Sequence, residues 1–177
     1  MKLYEYKGIK PKISDKAYIQ DGVKIIGDVT IEDYASVWYN VTMRGDYFKI
    51  TIKKNANIQE LTTIHGDFDT DVVIGENTTV GHGCIIHGAK VGNNCLIGMG
   101  SILLNNVVIP DNCLVGAGSL ITEGKTFEEG MLIVGSPAKA IRKVTDKDLE
   151  YMKNNSALYV ELGKTHKVED KLILDNE

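Results

Sequence analysis

Aliphatic residues return along this chain at a nearly constant interval. The series runs Ile26, Ile31, Val37, Met43, Ile52, Ile58, Ile64, Ile74, Val80, Ile86, Val91, Ile97, Leu103, Ile109, Val115, Ile121, and eleven of its fifteen steps are six residues. An amphipathic helix repeats near 3.6 residues and a half-buried strand alternates by two, so neither produces this spacing. A triangular prism of short strands does, with one hexapeptide per face and about eighteen residues per coil. Each aliphatic then points to the axis, and the residue four places on shares the interior. That second set reads Thr78, Cys84, Cys95, Ser101, Cys113, Ser119, all small. Glycine after the aliphatic (Gly75, Gly81, Gly92, Gly98, Gly116) suits a corner where a Cβ is costly. Stacked coils pair as parallel ladders about 4.8 Å apart. The pattern predicts an all-β solenoid with triangular coils over residues 1–140.

Val134-Gly135-Ser136-Pro137-Ala138-Lys139 breaks the period. Thr145-Asp146-Lys147-Asp148 then reads as a helix start, with Thr145 as N-cap and Asp148 at the third position. Leu149, Met152, Leu158 and Leu162 supply an apolar stripe, Asn154-Asn155 a place where the helix could break, and Gly163 a stop. Residues 141–177 are therefore expected to form one C-terminal α-helix packed along the outside of the prism.

Composition removes several functional classes. The 177 residues carry a net charge of −4, which offers nucleic acid no basic surface. No stretch approaches the roughly 18 apolar residues of a membrane span, and the charged start Met1-Lys2-Leu3-Tyr4-Glu5-Tyr6 is unlike a signal peptide. Three Cys are too few for a disulfide framework, and all fall in the small interior slot, where they read as packing rather than ligation. The expectation is a cytoplasmic protein without nucleic-acid or membrane partners.

The histidines carry the chemistry. His65 follows Ile64 and His87 follows Ile86, so both occupy the same slot on one face, one coil apart. They should stack at ladder spacing, close enough to chelate one ion. Arg44, after Met43, falls one coil earlier in the same column. His82 lies two places after Val80, on another face, and points away from the pair. A three-histidine site therefore needs His82 from a second subunit, as a rotational homotrimer with shared sites would provide. His166, in the polar tail Lys164-Thr165-His166-Lys167, is expected to be solvated.

The hexapeptide period resembles the left-handed parallel β-helix of the hexapeptide-repeat superfamily, and left-handedness is implied by that resemblance. Arg44-Gly45-Asp46, Asn57-Ile58-Gln59-Glu60, Ile64-His65 and Gly81-His82-Gly83-Cys84-Ile85-Ile86-His87-Gly88 further resemble the gamma-class carbonic anhydrase-like proteins. This resemblance implies metal ligation by His65 and His87 of one subunit and His82 of the next. It implies a homotrimer joined by an Arg44–Asp46 ion pair across the interface. Gln59 would hydrogen-bond a metal-bound hydroxide that attacks carbon dioxide to give bicarbonate, Asn57 would help to form the pocket, and Tyr159 would line it. Glu60 stands where many members have Asp, and either carboxylate could pair with Arg44 or shuttle protons. Zinc is the expected cofactor, since three neutral imidazoles leave it an open position; iron(II) and cobalt suit the same ligands.

Two departures stand out. The long acidic loop that family members carry after the first His, with its proton-shuttling Glu, is reduced here to Gly66-Asp67-Phe68-Asp69-Thr70-Asp71. Asp67 and Asp69 are read as solvated turn residues, and a weak or inactive anhydrase is part of the expectation. Glu161 takes a position that is often Asn. Two other functions compete: a hexapeptide-repeat acyltransferase using an acyl-CoA, suggested by the fold and the Val134–Lys139 segment, and a non-catalytic metal-binding trimer.

Overall fold

A computed structural model describes residues 1–169. They form a triangular parallel β-helix closed by an antiparallel strand pair and followed by a single helix, α1 (Asp146–Glu169). Residues 170–177 of the expected C-terminal segment lie outside the described residues.

The three faces follow the hexapeptide count. Ile52, Ile74, Val91 and Ile109 lie in register on one face. Ile58, Val80, Ile97 and Val115 do so on the second, and Ile64, Ile86, Leu103 and Ile121 on the third. All of these side chains are buried. So are the small residues Thr78, Cys84, Cys95, Ser101, Cys113 and Ser119, which fill the space that the aliphatics leave at each level.

The series breaks its regularity where strands run long. In Lys24–Ile31 the residues alternate and Ile25, not Ile26, faces the axis. The interior series thus starts at Ile25, and its first step is six residues. The alternation of an extended strand overrides the hexapeptide count there. The nine-residue step from Met43 to Ile52 is one strand, Thr42–Ile52, that passes from the third face to the first and carries Arg44 and Asp46. The ten-residue step from Ile64 to Ile74 holds the turn Gly66–Asp71.

Corner glycines are required by neighbouring coils rather than by backbone twist. A Cβ on Gly81 would lie 2.7 Å from the backbone nitrogen of Met99, and one on Gly98 would lie 2.5 Å from that of Ala117. The left-handed backbone positions of the turns fall to glycines and, among the other residues, mostly to asparagine, at Asn40, Asn55, Asn77, Asn94, Asn106 and Asn112, the residue that tolerates that conformation best after glycine. Asn55 donates to Asn77 at 2.9 Å and Asn77 to Asn94 at 3.2 Å, which ties successive coils together.

Parallel stacking ends where Met131–Gly135 pairs antiparallel with Ala138–Lys143. Thr145 caps α1: its Oγ1 accepts the Asp148 N–H at 3.2 Å, while the Asp148 carboxylate accepts the Thr145 N–H at 2.8 Å. The helix then runs unbroken through Asn154-Asn155 and lies on the second face. Of the expected stripe Leu149, Met152, Leu158 and Leu162, only Met152 lies on the docking line as a buried residue. Met152, Ser156 and Gly163 are buried, whereas Leu158 is 54% exposed. Gly163 does not stop the helix. It lets α1 approach the solenoid so closely that a Cβ there would sit 3.3 Å from that of Ser36 and 3.4 Å from that of Tyr18. His166 is docked rather than solvated, its ring 5.2 Å from Trp38 and 6.0 Å from Tyr18.

Candidate functional site

His65 and His87 end neighbouring strands, Thr63–His65 and Ile85–His87, and are direct partners in the ladder. His65 Nδ1 lies 3.3 Å from His87 Nε2. The far side of each ring meets an acceptor. Asp46 Oδ1 is 3.2 Å from His65 Nε2, and Asn105 Oδ1 is 2.8 Å from His87 Nδ1. Asn105 is itself oriented by donating its Nδ2–H to Asp67 Oδ2 at 2.6 Å. The protons therefore sit on the outer nitrogens, and the two facing nitrogens present lone pairs to each other. Lone pairs at this separation repel unless a cation lies between them. Ligand nitrogens about 2.0–2.1 Å from a tetrahedral ion stand roughly 3.3–3.4 Å apart, so the pair fits such an ion.

The surroundings of His65 favour a neutral ring. Burial pushes His65 below the usual imidazole range, the Asp46 contact opposing it only in part. Burial works against ionising Asp46, but hydrogen bonds from its own backbone and from His65, together with the Arg44 guanidinium, hold its carboxyl below the usual range. Arg44 pairs with Asp46 within the chain, two residues along the same strand. Phe48 closes the other side of His65, with ring centroids 5.3 Å apart.

His82 is not part of this cluster. It sits at the corner after the strand Thr79–Val80, where its Nδ1 lies 2.6 Å from Glu60 Oε2. Asn57 and Gln59, from the neighbouring coil, are buried beside it. Tyr159 comes from α1 and packs edge-on to Trp38 at 5.5 Å. Burial, and next the Glu60 charge, raises its phenol above the usual range. Gln59, His82 and Tyr159 line one cavity of about 410 Å³. Glu161 faces outward and pairs with Lys164 at 2.6 Å.

One chain thus carries two separate clusters of polar side chains. His65, His87, Arg44 and Asp46 form the first; His82, Glu60, Gln59, Asn57 and Tyr159 form the second. Among the described residues no three His, Cys, Asp or Glu side chains gather to hold an ion. The cysteines stay in the interior, all free. Burial pushes the Cys84 thiol up to about 11 and the Cys95 thiol up to about 12, which suits packing and not ligation. The Asp67–Asn105 support of His87 has no counterpart in the sequence reading. Its signal was the separation of Asn105 from His87, 18 residues or one coil.

Comparison with known proteins agrees with this fold. Residues 88–123 match the model of the bacterial transferase hexapeptide (six repeats). A carbonic anhydrase from Geobacillus kaustophilus is 41% identical over 165 residues, covering 93% of this chain and 91% of the relative. The carnitine operon protein CaiE of Escherichia coli is 34% identical over 167 residues, covering 94% and 85%. The crystal structure of a hexapeptide transferase family protein from Anaplasma phagocytophilum superposes with a TM-score of 0.89 at 38% identity, over 93% of this chain and 97% of that one. Fold and site together define a hexapeptide-repeat β-helix protein. The chain belongs to the gamma-class carbonic anhydrase-like proteins of that superfamily.

Proposed function

We propose that this protein is a carbonic anhydrase-like metalloenzyme that converts carbon dioxide and water to bicarbonate and a proton, assembled as a homotrimer with its metal site shared between adjacent subunits. The observation that carries this reading is the facing pair of ring nitrogens, His65 Nδ1 and His87 Nε2, 3.3 Å apart, with the outer nitrogen of each ring against an acceptor. His82 of the adjacent subunit would complete a three-histidine set. Zinc fits best, and iron(II) or cobalt would be held by the same imidazoles. Such an ion supplies Lewis acidity and brings the ionisation of a bound water near neutral pH.

The chain's own groups do the rest. Asp46 and Asn105 fix the His65 and His87 tautomers, and Glu60 does the same for His82 by accepting its Nδ1–H. Gln59 orients the attacking oxygen through its side-chain amide. Tyr159, braced by Trp38, walls the cavity. Glu60 is partly exposed beside His82 and so placed to pass a proton to solvent. The relative named carbonic anhydrase supports this activity. The test is a hydration assay on protein whose metal content has been measured: a rate no faster than the buffer blank overturns it.

The Glu60–His82 pair also favours a second reading. A histidine held by a carboxylate is the arrangement of a general base, as acyl transfer from an acyl-CoA to an amine or alcohol requires. The transferase names among the matches point the same way. Metal-free protein that acetylates an acceptor would establish it. Metal binding without either activity would leave the non-catalytic trimer.

A further inference from the structure

A buried chain of hydrogen bonds leads from Gln59 to helix α1. Gln59 Nε2 donates to Asn57 Oδ1 at 3.2 Å, and Asn57 Nδ2 donates to Thr79 Oγ1 at 2.8 Å. Thr79 Oγ1 then donates to Asn155 Oδ1 at 2.9 Å. Gln59, Asn57 and Thr79 are 5%, 0% and 3% exposed, so water does not compete for the first two bonds, and the Thr79–Asn155 bond is part-buried. Every donor points the same way, from the cavity toward the helix. A carboxamide has one donor end and one acceptor end, and the donor end of Gln59 is committed to Asn57. Its Oε1, which has no hydrogen-bond partner among the described residues, is left as the acceptor for the cavity shared with His82 and Tyr159.

We infer that Thr79 and Asn155 are positioning residues that fix the polarity of the Gln59 amide, so that its oxygen, and not its NH₂, faces the reacting groups. This rests on the anhydrase reading for its purpose. An acceptor at that point takes the O–H of the attacking water or hydroxide and turns an oxygen lone pair toward the carbon of carbon dioxide. An NH₂ there would instead bind that lone pair and blunt it. The threonine hydroxyl relays direction because it accepts from Asn57 and donates to Asn155. Asn155, on α1, is the terminal acceptor. The helix is then part of the site's orientation machinery as well as its wall.

The test uses full-length protein loaded with zinc, with two readouts: carbon dioxide hydration, and exchange of the Gln59 carboxamide protons by NMR. Thr79→Val and Asn155→Ala should speed that exchange and lower kcat about tenfold, at the low end of what outer partners of a metal site contribute, with KM and metal content unchanged. Thr79→Ser keeps the hydroxyl and should behave as wild type. Asn155→Asp can only accept, so it should also retain slow exchange and full kcat. If Asn155→Asp fails as Asn155→Ala does, the polarity is the reverse of that inferred. If Thr79→Val changes neither readout, the relay does not exist. A wild-type protein that binds zinc without hydrating carbon dioxide sinks the anhydrase reading alone, and the exchange measurements still decide the relay.

Discussion

His65 and His87 face each other across one coil boundary with their nearest nitrogens 3.3 Å apart, each ring anchored from behind by an acceptor. The solenoid puts them there by repetition. Each follows an inward isoleucine, and the parallel ladder fixes the register of those isoleucines, Ile64 and Ile86. The spacing of the pair is a property of the stack.

The anchors should matter as much as the ladder. Asn105→Ala frees the His87 ring to change tautomer, and Asp67→Ala loosens Asn105. Both should weaken zinc binding, Asn105→Ala by about 10- to 100-fold, while leaving the thermal unfolding of the solenoid nearly unchanged. Competition with a chromophoric chelator measures this. Affinity equal to wild type in Asn105→Ala would show that the His87 tautomer is set elsewhere.

The interior thiols should be silent. With burial pushing Cys84 up to about 11 and Cys95 up to about 12, almost no thiolate exists at pH 8, and the side chains are also out of reach of reagent. Alkylation of the folded protein at pH 8 should be far slower than in denaturant, where all three cysteines react. Rapid labelling of native protein would contradict the interior placement.

Helix docking should depend on acid through Asp148. The Arg142 guanidinium, followed by the bonds from the Thr145 N–H and hydroxyl, holds its carboxyl well below the usual carboxylate range. A carboxyl lower in the folded state contributes stability above its unfolded pKa, about 3.9, and loses that contribution as pH falls toward the folded value. Asp148→Asn should therefore lower Tm near pH 7, and its difference from wild type should shrink progressively below about pH 4. Circular dichroism melts across that range provide the check; a Tm difference that does not vary with pH would rule out the charge as the cause.

Close approach at Gly163 predicts a steric effect. Gly163→Leu has to push α1 away from Ser36 and Tyr18, at a cost of about 1–3 kcal/mol. Opening this contact should make the helix end around His166 sensitive to protease. Unchanged digestion and Tm would mean that the helix shifts without penalty.

Much of the fold was legible because a six-residue period has few physical solutions, and Ile64 and Ile86, which the count places one coil apart on one face, are partners in the ladder. The misassigned Ile26 lies in a strand long enough for simple alternation to take over. The helix was harder to read. Its docking face uses Ser156 and Gly163 because the solenoid comes too close for leucines, and hydrophobicity alone cannot reveal a contact made by small residues. His166 looked solvated for the same reason: its partners, Trp38 and Tyr18, are remote in sequence. At the site, the register of His65 with His87 and the separateness of His82 followed from counting. Asp67 did not, because a carboxylate in a polar turn acts here through Asn105, 38 residues away.

If the metal site belongs to two chains, molar mass and metal content measured on one sample reveal it together. The expected result is a trimer with about one ion per chain, and loss of tight binding in both His82→Ala and His65→Ala. Refolding those two variants together should restore part of the bound metal, since an interface between unlike chains can rebuild an intact His65–His87–His82 set. A strict monomer that binds one ion per chain tightly, or His82→Ala protein that keeps its full metal content, would contradict it.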